Sequence, residues 1–127
     1  MPIHLVEHRL APEATSVRAA RRAVADAIGD VLPASGLEGA LIATSEVVTN
    51  AVEHGCPPID LRVDRAEGRV RVEVRDTSPL PPRRPGEAPP ASDVRGRGLV
   101  IVERLADRWG IDERSDGKAV WFELEIP

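Results

Sequence analysis

Ten residues decide the fold: Glu46-Val47-Val48-Thr49-Asn50-Ala51-Val52-Glu53-His54-Gly55. Residues four apart on a helix share a face, so Glu46, Asn50 and His54 form a polar stripe on an otherwise apolar segment. Polar groups set among Val and Ala need partners or they cost stability. The stripe therefore reads as satisfied core polar residues, as an exposed edge, or as a site that needs a carboxylate beside an amide oxygen. An Asn carbonyl is a hard oxygen ligand, suited to Mg²⁺ that phosphates already hold. The helix carrying the stripe is predicted from about Leu37 to His54 and stops at Gly55-Cys56-Pro57-Pro58. Leu41, Val48 and Val52 line one side of it and Ala40, Ala43, Val47 and Ala51 another, which predicts a central position.

Working outward, Ile3 to Leu10 reads as a short strand, and Ala14 to Leu32 as a helix with Val17, Val24, Ile28 and Val31 on one stripe. Thr15 or Ser16 is its expected cap, and Pro33 with Gly36 its stop. Past the central helix, Leu61, Val63, Val70, Val72 and Val74 alternate with Arg62, Asp64, Arg69, Arg71, Glu73 and Arg75. That is a hairpin around Ala66-Glu67-Gly68 with one buried and one solvated face. Residues 79–90 hold six of the 12 prolines and read as a stiff loop. Gly96-Arg97-Gly98 opens a third helix through Leu105, and Arg108–Arg114 with Lys118–Ile126 form a closing hairpin turning at Asp116-Gly117. The order predicts one α+β domain over residues 1–127: a two-layer sandwich with a mixed, mostly antiparallel sheet and three helices on one face.

Two further candidates for chemistry stand out. Asp76 ends an alternating strand before Thr77-Ser78-Pro79, where a carboxylate either forms a turn or receives donors from a ligand. At Gly96-Arg97-Gly98, backbone amides freed by glycine at a helix start can hold phosphate. A Walker-type Gly-Lys-Ser/Thr is absent from the sequence. Zinc needs three or four ligands, and His4, His8, His54 and Cys56 are too scattered to supply them. Ser45 lacks a Gly-x-Ser-x-Gly elbow, which argues against a hydrolase triad.

Composition narrows the classes further. The 17 basic residues, all Arg but one, stand against 21 acidic residues for a net charge of −4, the wrong sign for a nucleic-acid binder. Aromatic residues are 2% of the chain, too few for base-stacking platforms. One cysteine excludes an internal disulfide and fits a reducing compartment. The longest run free of Asp, Glu, Lys and Arg is seven residues, far short of a membrane span. Met1-Pro2-Ile3-His4 lacks a charged-then-apolar signal pattern, so a cytoplasmic protein is expected.

Taken in order, these pieces resemble the GHKL or Bergerat-fold ATPases, and within them the small bacterial anti-sigma-factor serine kinases. Glu46 to Gly55 is similar to the family's N-box, Glu-x-x-x-Asn-Ala-x-x-His-Gly. Asp76 falls where the family's adenine-binding aspartate stands. Arg95-Gly96-Arg97-Gly98-Leu99 resembles its glycine-rich phosphate box, and Gly117-Lys118-Ala119-Val120-Trp121-Phe122 its closing strand. Two departures are visible: Thr77, Ser78 and Pro79 replace the glycines that usually follow the aspartate, and Ala119 stands where a nucleotide-side Thr is expected.

The resemblance implies ATP and Mg²⁺ as cofactors. Glu46 is then the catalytic base, and Asn50 the Mg²⁺ ligand and part of the nucleotide site. Asp76, Gly96, Arg97, Gly98 and Leu99 complete the nucleotide-binding residues, with an ATP lid at about 77–97. Sensor histidine kinases need a phosphoacceptor domain, and gyrase-like and mismatch-repair relatives need transducer domains. A chain of 127 residues selects the stand-alone branch. The expected protein is an ATP–Mg²⁺-dependent serine/threonine kinase acting as an anti-sigma factor. Its implied partners are a sigma factor and an anti-sigma-factor antagonist, with no nucleic acid or membrane, and a homodimer is admitted. The rival is a module of the same fold that sequesters a partner without transferring phosphate.

Overall fold

Period-two alternation of valines builds most of the sheet, and the core follows from it. The computed structural model describes residues 3–78 and 95–127, with side chains from residue 99 onward in the second segment. The elements are β1 (Ile3–Leu10), α1 (Thr15–Ile28), α2 (Ala34–His54), β2 (Ile59–Ala66), β3 (Arg69–Asp76), α3 (Arg95–Leu105), β4 (Arg108–Arg114) and β5 (Gly117–Glu125). The strand order is β1-β2-β3-β5-β4. All four pairings are antiparallel, so the mixed sheet expected from sequence is antiparallel throughout the described residues. Gly68 turns the β2–β3 hairpin in the left-handed region at φ 75°.

Val70, Val72 and Val74 of β3 and Val120, Phe122 and Leu124 of β5 all point into one core. Ile59, Leu61 and Val63 of β2 join them, and the three helices close over this face. α2 lies between α1 and α3 and also packs on β3 and β5, the central place its two apolar sides predict. Ala40, Ala43, Thr44, Val47, Val48 and Ala51 are its buried residues. Small side chains there let the helix approach the strands closely, and Thr44 Oγ1 finds a partner within the helix by donating to Ala40 O at 2.7 Å.

Several boundaries differ from expectation for identifiable reasons. α1 ends at Ile28, where the Gly29 amide closes the last turn on Ala25 O at 2.9 Å. Neither Thr15 nor Ser16 caps it: Ala14 is the N-cap, and the Ser16 hydroxyl donates to Ala11 O at 2.6 Å instead. α2 starts at Ala34 because Pro33, extended at ψ 161°, serves as its N-cap. The β4–β5 turn is Ser115-Asp116, and Gly117 already pairs with Arg114 as the first residue of β5. Among the described residues no helix is long and apolar enough to cross a membrane.

Candidate functional site

Asn50 and Asp76 meet in one cleft, although 26 positions separate them in sequence. Its walls are Val47, Asn50, Ala51 and His54 from α2, Val74 and Asp76 from β3, Lys118 and Val120 from β5, and Leu99 from α3. The cleft measures about 370 Å³ counted out to open solvent. Glu46 is half-buried one turn before Asn50 on α2, and it is not among the residues that line this cleft. His54 does line it while remaining exposed.

Asp76 is held closely on two flanks. Gly55, at the C-terminus of α2, lies so near that a Cβ there would sit 2.8 Å from Asp76 Oδ2 and 2.6 Å from Ala51 O. Gly117 crowds the other flank: its φ is 148°, and a Cβ would overlap the Asp76 carbonyl oxygen. These two glycines let α2 and β5 close on one aspartate. Thr77 then pins the strand end, its amide donating to Cys56 O at 2.9 Å and its hydroxyl to Pro57 O at 2.9 Å.

The carboxylate itself belongs to a buried triad. Asp76 Oδ1 accepts from the Ser78 amide at 2.7 Å and the Ser78 hydroxyl at 2.5 Å. Lys118 Nζ donates to Ser78 Oγ at 2.5 Å and stands 3.3 Å from Asp76 Oδ2. The side chains of Asp76 and Lys118 are only 2% and 10% exposed. A paired charge of this kind can persist in a dry site where a lone one cannot.

Sequence reading missed Lys118, and its signal was present. It is the one Lys among 17 basic residues, and it alternates in phase with Val120, Phe122 and Leu124. The same alternation corrects the expectation at Ala119. That residue pairs with Arg75 and Asp112 on the opposite face of the sheet, so position 118 is the one that faces the cleft.

Gly96, Arg97 and Gly98 fall in the first turn of α3, and Leu99, the next residue, is buried and lines the cleft. The amides of a first helical turn have no partners within the helix and favour anions. Of the expected lid at 77–97, Thr77 and Ser78 are fixed as described above and residues 95–97 are helical. Residues 79–94 lie outside the described residues.

On the far face of the sheet, the arginine row expected to be solvated folds down onto buried acids. Glu73, 4% exposed, accepts from Arg75 Nε at 2.8 Å and Arg71 Nη2 at 3.4 Å. Glu123, 9% exposed, lies 3.7 Å from Arg69 Nε and 3.8 Å from Arg108 Nε. Arg71 also covers the Trp121 ring at 4.2 Å from its centroid. The hydrogen bond from Arg62 to Asp64 holds that guanidinium above its ordinary pKa.

With the fold and cleft in view, comparison with known proteins gives the class. The family model of the histidine kinase-like ATPase domain matches residues 10–124, and the chain belongs to that family. The α+β architecture, with three helices on a five-stranded antiparallel sheet, is the Bergerat fold, and the family brings ATP as its nucleotide. An uncharacterized protein of Streptomyces coelicolor, SCO4941, is 36% identical over 80 residues, covering 60% of this chain and 75% of that protein.

Two solved structures share the fold. The RsbU and RsbW domains of Rv1364c from Mycobacterium tuberculosis match with TM-score 0.73 and 21% identity over 99% of this chain and 32% of that one. The histidine kinase domain of a blue-light activated histidine kinase from Erythrobacter litoralis matches with TM-score 0.58 and 19% identity. There the match covers 89% of this chain and 60% of that one. The chain thus spans about a third of the first structure and less than two thirds of the second.

Proposed function

We propose that the protein is an ATP–Mg²⁺-dependent serine/threonine kinase that acts as an anti-sigma factor and phosphorylates an anti-sigma-factor antagonist. The observation that carries this reading is the convergence of Asn50, Asp76 and Leu99 of α3 on one cleft. The donor set suits a nucleotide. Asp76 offers a buried acceptor for an exocyclic amine, α3 offers backbone amides for phosphate, and Asn50 offers a hard oxygen for Mg²⁺. Bound ATP with Mg²⁺ supplies a phosphoryl group whose transfer depends mostly on positioning and charge neutralisation.

The chain's own residues divide the work. Asp76 orients the base and excludes rotated poses, since its other contacts fix the carboxylate plane. Gly96, Arg97 and Gly98, in the first turn of α3, bring backbone amides to the phosphates. Glu46, on the Asn50 face of α2 and outside the base cleft, takes the proton of an acceptor hydroxyl. A position off the base pocket is what that role requires, because the hydroxyl arrives on a second protein. The shared fold with a structure containing an RsbW domain supports a sigma factor and its antagonist as partners.

The test is phosphate transfer from labelled ATP to small antagonist proteins of the same genome. Glu46→Gln keeps shape and hydrogen bonding but cannot take a proton. It is expected to lower transfer by about 10²–10⁴ while ATP affinity stays within a few fold. Equal transfer by both forms removes Glu46 as the base. Should the wild type bind ATP and a sigma factor yet transfer nothing, the protein is a sequestering module.

A further inference from the structure

Lys118 and Asp76 together hold more hydrogen-bonding capacity than their neighbours use. A carboxylate has about four lone-pair sites, and an ammonium has three N–H donors. Ser78 fills Asp76 Oδ1 twice, and Lys118 faces Oδ2. Lys118 in turn spends one N–H on Ser78 Oγ and lies within ion-pair distance of the carboxylate. Among the described residues, at least one acceptor site on Asp76 and one donor on Lys118 are left, and both residues line the cleft.

We propose that Lys118 is a specificity-determining residue of the base site, donating to ring nitrogen N1 of adenine while Asp76 accepts from the 6-amino group. The inference rests on the ATP reading above and adds to it a second point of recognition. A carboxylate alone reads one atom of the base edge. A carboxylate with an ammonium 3.3 Å away reads two neighbouring atoms, a donor next to an acceptor, and that is the order adenine presents at its amino group and N1.

The surroundings fix the ammonium for this use. Ser78 stands where a glycine usually follows the aspartate, and its hydroxyl bridges the two charges, so Lys118 Nζ has a defined place rather than a free sweep. Val120 and Val74 flank the pair with apolar walls, which strengthens each polar contact and makes an unmade one costly. Ser78, a departure from the family pattern, thus touches the lysine that takes the cleft-facing place in the closing strand.

The experiment is calorimetric titration, in Mg²⁺, of ATP against 1-deaza-ATP, which keeps the amino group but replaces N1 by C–H. The wild type is expected to bind ATP about tenfold or more tightly than the analogue, as for a hydrogen bond from a charged donor. Lys118→Met, of similar length without a donor, is expected to bind the two alike. If that variant does not fold, Lys118→Ala, which is short and has no donor, takes its place with the same expected result. Equal binding of both nucleotides by the wild type overturns the assignment. So does a preference that survives loss of the lysine, or an ATP affinity that rises when the lysine is removed. If the wild type binds neither nucleotide, the ATP reading falls and this inference with it, whereas equal binding overturns this inference alone.

Discussion

The two faces of the sheet both bury charge, and they do it differently. On the open face, Glu73 and Glu123 lie under arginines from β3 and β4, each acid facing two or more guanidinium groups. On the helix face, Asp76 and Lys118 pair with each other and with Ser78, leave hydrogen-bonding capacity unused, and line a cleft. Burial of charge therefore does not by itself mark a site. Unused hydrogen-bonding capacity beside open space does. Trp121 Nε1 sharpens the distinction: it is buried without a partner among the described residues, yet it is pressed against Gly110, where a Cβ would lie 2.9 Å from it. With no room beside it, that donor can reach no ligand acceptor.

The largest expected effect lies on the helix face. Asp76→Ala leaves Lys118 buried and unpaired, and is expected to lower unfolding free energy by about 3–5 kcal/mol in a urea titration. Adding Lys118→Met to that variant should recover part of the loss, since the stranded charge is gone. A cost below about 1 kcal/mol for Asp76→Ala breaks the claim that the pair is a dry one. Next comes the open face. Glu73→Gln removes a charge from the arginine lattice and should cost about 1–2 kcal/mol of stability while ATP affinity stays within twofold. A tenfold loss of ATP affinity there would join the two faces into one functional unit. The smallest effect is expected at Ala119→Thr. The side chain points away from the cleft, so ATP affinity should again stay within twofold. A marked gain would place position 119 in the site and contradict the strand register.

Much of this was legible in sequence wherever a period carried it. The Glu46–Asn50–His54 stripe, the alternating valines of β2 and β3, and the position of Asp76 at a strand end all follow from spacing. What was not legible depends on contacts between distant segments. The triad joins Ser78 to Lys118 across 40 positions, and no local pattern announces it. The offset of one residue in the closing strand, reading Ala119 for Lys118, shows how period two fails: a slip of one exchanges the faces. The arginine row failed for a different reason. Alternation says which face a residue takes, but not that Arg71 folds over Trp121 and Glu73 instead of extending into water.

The most direct test of the central claim, that this cleft holds Mg²⁺-bound ATP through Asp76 and Asn50, is one calorimetric comparison. Wild type and Asn50→Ala are titrated with ATP in excess Mg²⁺ and again in a chelator. If Asn50 supplies a metal ligand, the variant's affinity falls about tenfold or more in Mg²⁺ and little in chelator, because the lost oxygen matters only when the metal is present. An equal fall under both conditions makes Asn50 a structural residue, and absence of ATP binding by the wild type contradicts the account at its root.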